Sequence, residues 1–173
     1  MSLPVFVAAA ATAPKWPLAI WIDSTPMHRF MQENPAAFTA CETLHFMGLT
    51  ILIGALMIID LRGLGLFKRM PFGEVHKLVP FAIGAFIVQL ATGVCFVFQG
   101  PQPYFDNLSF RVKMVLVLLA GINALVFEVL VFRPYKAGDI AVETAPITRF
   151  TCLASILMWF GVLMAGRLIP YIQ

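Results

Sequence analysis

The chain has 173 residues, of which 60% are hydrophobic and only 12% charged, with a net charge of +3 and a mean hydropathy of +0.87. Such a balance excludes a soluble domain with a water-facing surface, because most of this chain's surface must face lipid. The small net charge, on basic residues scattered among apolar runs, argues against a nucleic-acid partner.

Residues 1–36 form an N-terminal arm. Leu3 to Ala11 resembles the core of a signal peptide, but no basic residue precedes it, and Trp16-Pro17 and Trp21 suit a membrane surface, so the arm is expected to be retained. Asp23-Ser24-Thr25-Pro26 is a helix-start signal, predicting a short interfacial helix from Met27 to Glu33 with Phe30 and Met31 turned to lipid or protein.

Residues 37–173 are read as a four-transmembrane-helix domain. A bilayer core of about 30 Å needs about 20 apolar residues in a helix. Four stretches qualify, residues 37–59, 78–98, 112–132 and 150–172, each bounded by charges or breakers such as Asn34-Pro35, Asp60, Gly100-Pro101 and Arg133-Pro134. The fold class is therefore all-α, an integral membrane four-helix bundle preceded by an interfacial segment.

Arg62, Lys68, Arg69 and Lys77 fall in the loop after the first span, and Arg133, Lys136 and Arg149 in the loop after the third. Lys15, Arg29, Arg111 and Lys113 fall on the other side. Basic residues are retained in the cytoplasm, so both termini are expected outside, in the periplasm of a bacterial-type inner membrane.

Charges within a span are costly and need partners. With a rise of about 1.5 Å per residue, Glu42 and His45 lie roughly 8 to 12 Å into the first span, three residues apart. Lys113 enters the third span from the same side, and Arg167 lies near the outer end of the fourth. One reading is a polar pocket in the outer leaflet: His45 as a metal or heme ligand or proton carrier, oriented by Glu42, with Lys113 and Arg167 supplying positive charge to propionates or another anion. The other is a Glu42–Arg167 ion pair that fixes packing, with Lys113 snorkelling to the headgroups. Both stay open on the sequence.

At the opposite end, His76 and Glu128 could form a proton path or second ligand pair, near Asp60. Their closeness to helix ends favours ordinary interfacial residues. Lys113, Ala120, Ala124 and Glu128 fall on one face of the third span, with Asn123 to one side. Cys41, Cys95 and Cys152 show no CxxC or metal-finger spacing and no disulfide framework is expected; packing accounts for Cys95 and Cys152, while Cys41 sits beside Glu42. The methionines and glycines of the spans read as packing. No phosphate loop, nucleophile elbow or HExxH is present.

Glu42-Thr43-Leu44-His45, Asp60-Leu61-Arg62 with Gly65, Asn107 to Phe110 with Lys113, Asn123, and Ala165-Gly166-Arg167-Leu168-Ile169 with Tyr171 together resemble a group of uncharacterised bacterial four-helix membrane proteins. The likeness runs from about Trp21 to the end and implies that Glu42, His45, Arg62, Lys113 and Arg167 belong to a shared pattern. Glu128 departs from it, since relatives often carry histidine there. A looser similarity, to small b-type cytochromes and copper-resistance membrane proteins, is analogy at the level of fold.

Three functions follow as expectations. The preferred one is a non-catalytic subunit or accessory protein of a larger inner-membrane complex, with lipid and other membrane subunits or a second copy as partners. The alternatives are a b-type heme electron-transfer module and a membrane metal-binding protein, both using His45. Bis-histidine heme needs two histidines at matching depth, and only His28 lies on the His45 side.

Overall fold

In the computed structural model the described residues are 16–171; the Leu3–Ala11 stretch, Lys15 and Ile172 lie outside them. Helix α1 spans Pro17–Asp23 and α2 spans Pro26–Glu33. The start of α2 follows from Thr25-Pro26: proline at the first helical position needs no amide partner, and Thr25 Oγ1 accepts from His28 N–H at 3.2 Å. Met31 is 2% exposed whereas Phe30 is 51% exposed, so the two residues face different surroundings.

The first long helix, α3, spans Pro35–Gly63. It is followed by α4 (Phe72–His76), α5 (Val79–Gln99), α6 (Gln102–Phe105) and α7 (Leu108–Phe127). A π-helical turn, Glu128–Phe132, continues α7 into α8 (Arg133–Lys136), and a 3-10 turn at Ile140–Thr144 leads to α9 (Pro146–Leu168). No strand occurs among the described residues. Four segments, Pro35–Gly63, Phe72–Gln99, Leu108–Lys136 and Pro146–Leu168, are long and apolar enough to cross a membrane. This is an all-α, multi-pass membrane architecture.

The first helix runs past the apolar stretch at both ends, because backbone hydrogen bonding does not stop where side chains turn polar. Its 29 residues measure roughly 43 Å, longer than the hydrocarbon core. What stops it is Gly65, at φ +92°. Gly65 N–H donates to Arg62 O and Leu66 N–H to Leu61 O, both at 3.0 Å, the paired bonds of a Schellman cap. The same cap recurs at Gly138 (φ +104°), where Asp139 N–H donates to Pro134 O at 3.0 Å.

Helix α3 packs along α5, α7 packs along α9, and α3 and α9 join the two hairpins. Cys41, His45, Gly48, Leu52, Ala55 and Ile59 recur at alternating steps of four and three, which lines them along one seam of α3. One core cluster gathers Ile59, Phe72, Val75, Phe127, Val131 and Cys152; a second gathers Leu52, Ala55, Ala82 and Ala85. Phe81, Ile87, Leu118, Leu125, Leu157 and Phe160 stand exposed, the surface a bilayer would cover.

Candidate functional site

The polar residues of the spans fall into two groups, one at the end of the bundle that carries Trp16 and Tyr171 and one at the end that carries Arg62. At the Tyr171 end, His45 is half-buried in the α3–α5 seam. Its Nδ1 lies 2.7 Å from Thr92 Oγ1, and its ring stands 4.9 Å from that of Phe96. Thr92 Oγ1 also lies 2.7 Å from Val88 O. A hydroxyl has one proton; when Thr92 gives it to Val88 O, the oxygen accepts from His45 Nδ1–H and leaves Nε2 as the acceptor atom. Gln89 Nε2 donates to the His45 carbonyl. This carbonyl is already inside a helix, so the extra bond ties α5 to the backbone of α3.

Lys113 of α7 is the charged neighbour of His45. It packs against Gly166, where an added Cβ would still meet Lys113 Nζ at an ordinary contact of 3.5 Å. Glu42 stands apart. One residue beyond Cys41, it is turned about 100° off the seam and is exposed, as is Arg167. Neither has an ion-pair partner within 4.0 Å among the described residues, and Arg167 Cζ instead lies 6.0 Å from the Tyr171 ring centre. So His45 and Lys113 come together, whereas Glu42 and Arg167 do not join each other in the packing ion pair considered above.

Glu42 does act electrostatically on Tyr104, which lies in α6 between the second and third spans. Burial first, and the Glu42 charge second, raise the Tyr104 phenol above its ordinary pKa. Asn107 caps α7, accepting from Phe110 N–H at 3.0 Å, and donates to Ile169 O at 2.9 Å, so the start of α7 is tied to the end of α9. His28 Nδ1 lies 2.7 Å from Phe98 O, which docks α2 on α5.

The Arg62 end is tied by more charged contacts. Arg62 is 5% exposed. Its Nη2 lies 2.5 Å from Glu143 Oε1, its Nε donates to Met70 O at 2.6 Å, and its Cζ lies 5.7 Å from the Phe72 ring centre. One guanidinium thus holds both loops of that end. Asp60, also buried, has Ser155 and Cys152 of α9 as polar neighbours. His76 Nε2 lies 2.9 Å from Glu128 Oε2, with the Phe132 ring stacked on the imidazole at 3.2 Å.

Glu128 opens the π-turn, in which Arg133 N–H reaches back five residues to Glu128 O. The cause is local: Pro134 has no amide proton and its ring crowds the carbonyl four residues earlier, so the helix widens ahead of it. That widening moves Glu128 off the register an unbroken helix would give. Along α7 the buried side is carried by Ala120 and Phe127, with Asn123 Nδ2 donating to Thr151 O at 3.0 Å, while Ala124 is exposed. The face predicted through Ala124 is therefore rotated towards Asn123.

The partners Thr92, Gln89, Glu143 and Ser155 were not among the candidate site residues. Thr92 and Gln89 carried a signal, as polar residues inside an apolar span; Glu143 carried none, being an ordinary loop acid. Among the described residues no group of three or more His, Cys, Asp or Glu is placed to hold a metal ion.

The family described as "Family of unknown function (DUF6644)" matches residues 34–172, a range that takes in all four spans. The likeness to an uncharacterised family read from the motifs is borne out. No curated protein and no solved structure matches the chain.

Proposed function

We propose that this chain, which belongs to that family of unknown function, is a non-catalytic membrane subunit or accessory protein of a larger inner-membrane complex. The observation that carries this reading is Glu42: a carboxylate on an exposed face of α3, inside a helix that crosses the membrane, with no hydrogen bond or ion pair among the described residues. Flanking Thr39 and Thr43 turn their hydroxyls back to Pro35 O and Thr39 O at 3.0 and 2.9 Å, so they do not satisfy it. A charge facing outward at this depth calls for a partner group or the headgroups. Arg167, exposed on α9, adds a cation to the same end. The basic residues Arg62, Lys68, Arg69, Lys77, Arg133, Lys136 and Arg149 gather at the other end, which favours that end as the cytoplasmic one and both termini as periplasmic.

His45 and Lys113 belong to the same reading. A lysine cation beside an imidazole repels a metal cation at Nε2, so the pair suits an anionic group, such as a partner's carboxylate, better than it suits metal. The test is purification of the full chain from its native membrane in mild detergent, with native mass measurement and visible spectra of oxidised and reduced samples. A colourless complex with other membrane chains, weakened by Glu42→Ala with the monomer still folded, is the expected result. A lone chain, or a reducible Soret band lost in His45→Ala, would overturn it.

A further inference from the structure

The antiparallel seam between α3 and α5 has a fixed register. Phe38 meets Phe96 with ring centres 5.7 Å apart, and His45 meets Thr92 at 2.7 Å. Gly48 meets Val88, where an added Cβ would lie 3.3 Å from Cγ1. Between the first two of these contacts, the same register sets Cys41 of α3 opposite Cys95 of α5. Both are free and half-buried, and each thiol is a near neighbour of the other. Cys152 lies at the far end of the bundle, against Gly63 and Asp60.

We propose that Cys41 and Cys95 are a modification site: a dithiol that closes to an intramolecular disulfide and locks α3 to α5 at the Tyr171 end. A disulfide needs α-carbons within about 4.4–6.8 Å and side chains that point at each other. The seam meets the second condition by its register. The backbones of α3 and α5 come close two turns along the same seam, where at Gly48 a Cβ would lie 3.4 Å from the Ala85 carbonyl oxygen. The oxidant is a small organic disulfide or the disulfide of a thiol oxidase. A thiolate of the pair attacks it and releases one thiol; the second cysteine attacks the mixed disulfide and releases the other. Two protein S–H bonds are exchanged for one S–S bond, and the oxidant leaves as two thiols. Cys41 is also one turn from His45, so closure would clamp the turn that presents His45 to Thr92 and Lys113.

The experiment uses the full chain in detergent micelles and 2,2′-dipyridyl disulfide, which is lipid-soluble and releases a coloured thione at each exchange. After treatment, the protein is denatured, remaining thiols are alkylated, and the intact mass and disulfide-linked peptides are read. The expected product has lost two hydrogens, carries a Cys41–Cys95 linked peptide and retains no thiopyridyl group on either sulfur. Cys41→Ser and Cys95→Ser, made separately, should each stop closure and leave a thiopyridyl adduct on the surviving cysteine, while Cys152→Ala should leave closure unchanged. Thiols that stay unreacted, adducts that persist on both Cys41 and Cys95, or a linkage only between two chains would overturn the proposal.

Discussion

The two ends of the bundle handle charge in opposite ways. At the Arg62 end, buried and half-buried ionisable groups are met within the chain: Arg62 by Glu143 and Met70 O, His76 by Glu128, Asp60 by Ser155 and Cys152. At the Tyr171 end, neutral hydrogen bonds through Thr92, Gln89 and Asn107 hold the helices, while Glu42 and Arg167 stay exposed. Charge at the first end closes the fold; at the second, Arg111 and Asp106 are met by Phe105 O and Trp16, and Glu42 and Arg167 are left free to meet something else. The difference teaches that an ionisable residue in a span points to function only after its partners inside the chain have been counted.

The largest expected effect comes from breaking the closed end. Arg62→Ala leaves Glu143 without its cation and two loops without their common tie, and should cost about 3 kcal/mol or more. Arg167→Ala at the open end should cost about 0.5 kcal/mol or less, since an exposed charge with no ion pair gives little. Unfolding of both variants in the same detergent, followed by circular dichroism, makes the comparison. Equal losses would show that the two ends do not differ in this way.

A narrower break is Gly63→Ala. A Cβ at residue 63 would overlap Cys152 Sγ, with Thr148 Cγ2 at an ordinary 3.5 Å contact, so the buried Cys152 thiol must turn away or the helices must part. Overpacking of this kind costs about 1–3 kcal/mol. Cys152→Ala in the same chain should recover part of the loss, because it removes the atom in the way. A double variant no better than Gly63→Ala alone would place the strain elsewhere, in the backbone of α3.

Much of this contrast could be read in the chain and some could not. The spans and the helix start at Thr25-Pro26 follow from hydropathy and capping chemistry, whereas the depth of His76 and Glu128 allowed a pair but favoured two ordinary interfacial residues. The side on which Glu42 stands did not follow: three-residue spacing from His45 leaves about 60° between them, enough to put one in the seam and the other outside it. Arg62 and Glu143 lie 81 residues apart in sequence, and no local pattern joins a helix end to a loop acid. The rotation of α7 towards Asn123 depends on where α9 lies, and the widened turn at Glu128 on the proline that follows, so an ideal periodicity misplaces both. The cysteine pair depends on the register of α3 against α5, which spacing within either helix does not state.

The smallest predicted effect probes the open end without disturbing the fold. Tyr104 holds its proton above the ordinary tyrosine value because burial and then the Glu42 charge disfavour the phenolate. Glu42→Gln removes the second cause and keeps the first, so the Tyr104 titration, followed by ultraviolet difference absorbance against Tyr104→Phe, should move down but stay above that of a free tyrosine. The sign for stability follows from linkage. A raised folded pKa means that the native state holds this proton more tightly, so the contribution is fully present below the unfolded value near 10.0 and is lost as pH rises through the folded one. Glu42→Gln should narrow that alkaline window while leaving stability at neutral pH unchanged. A Tyr104 titration unmoved by Glu42→Gln would mean that the carboxylate is already neutralised at this end, by a partner group or a headgroup cation, and that the open end is occupied.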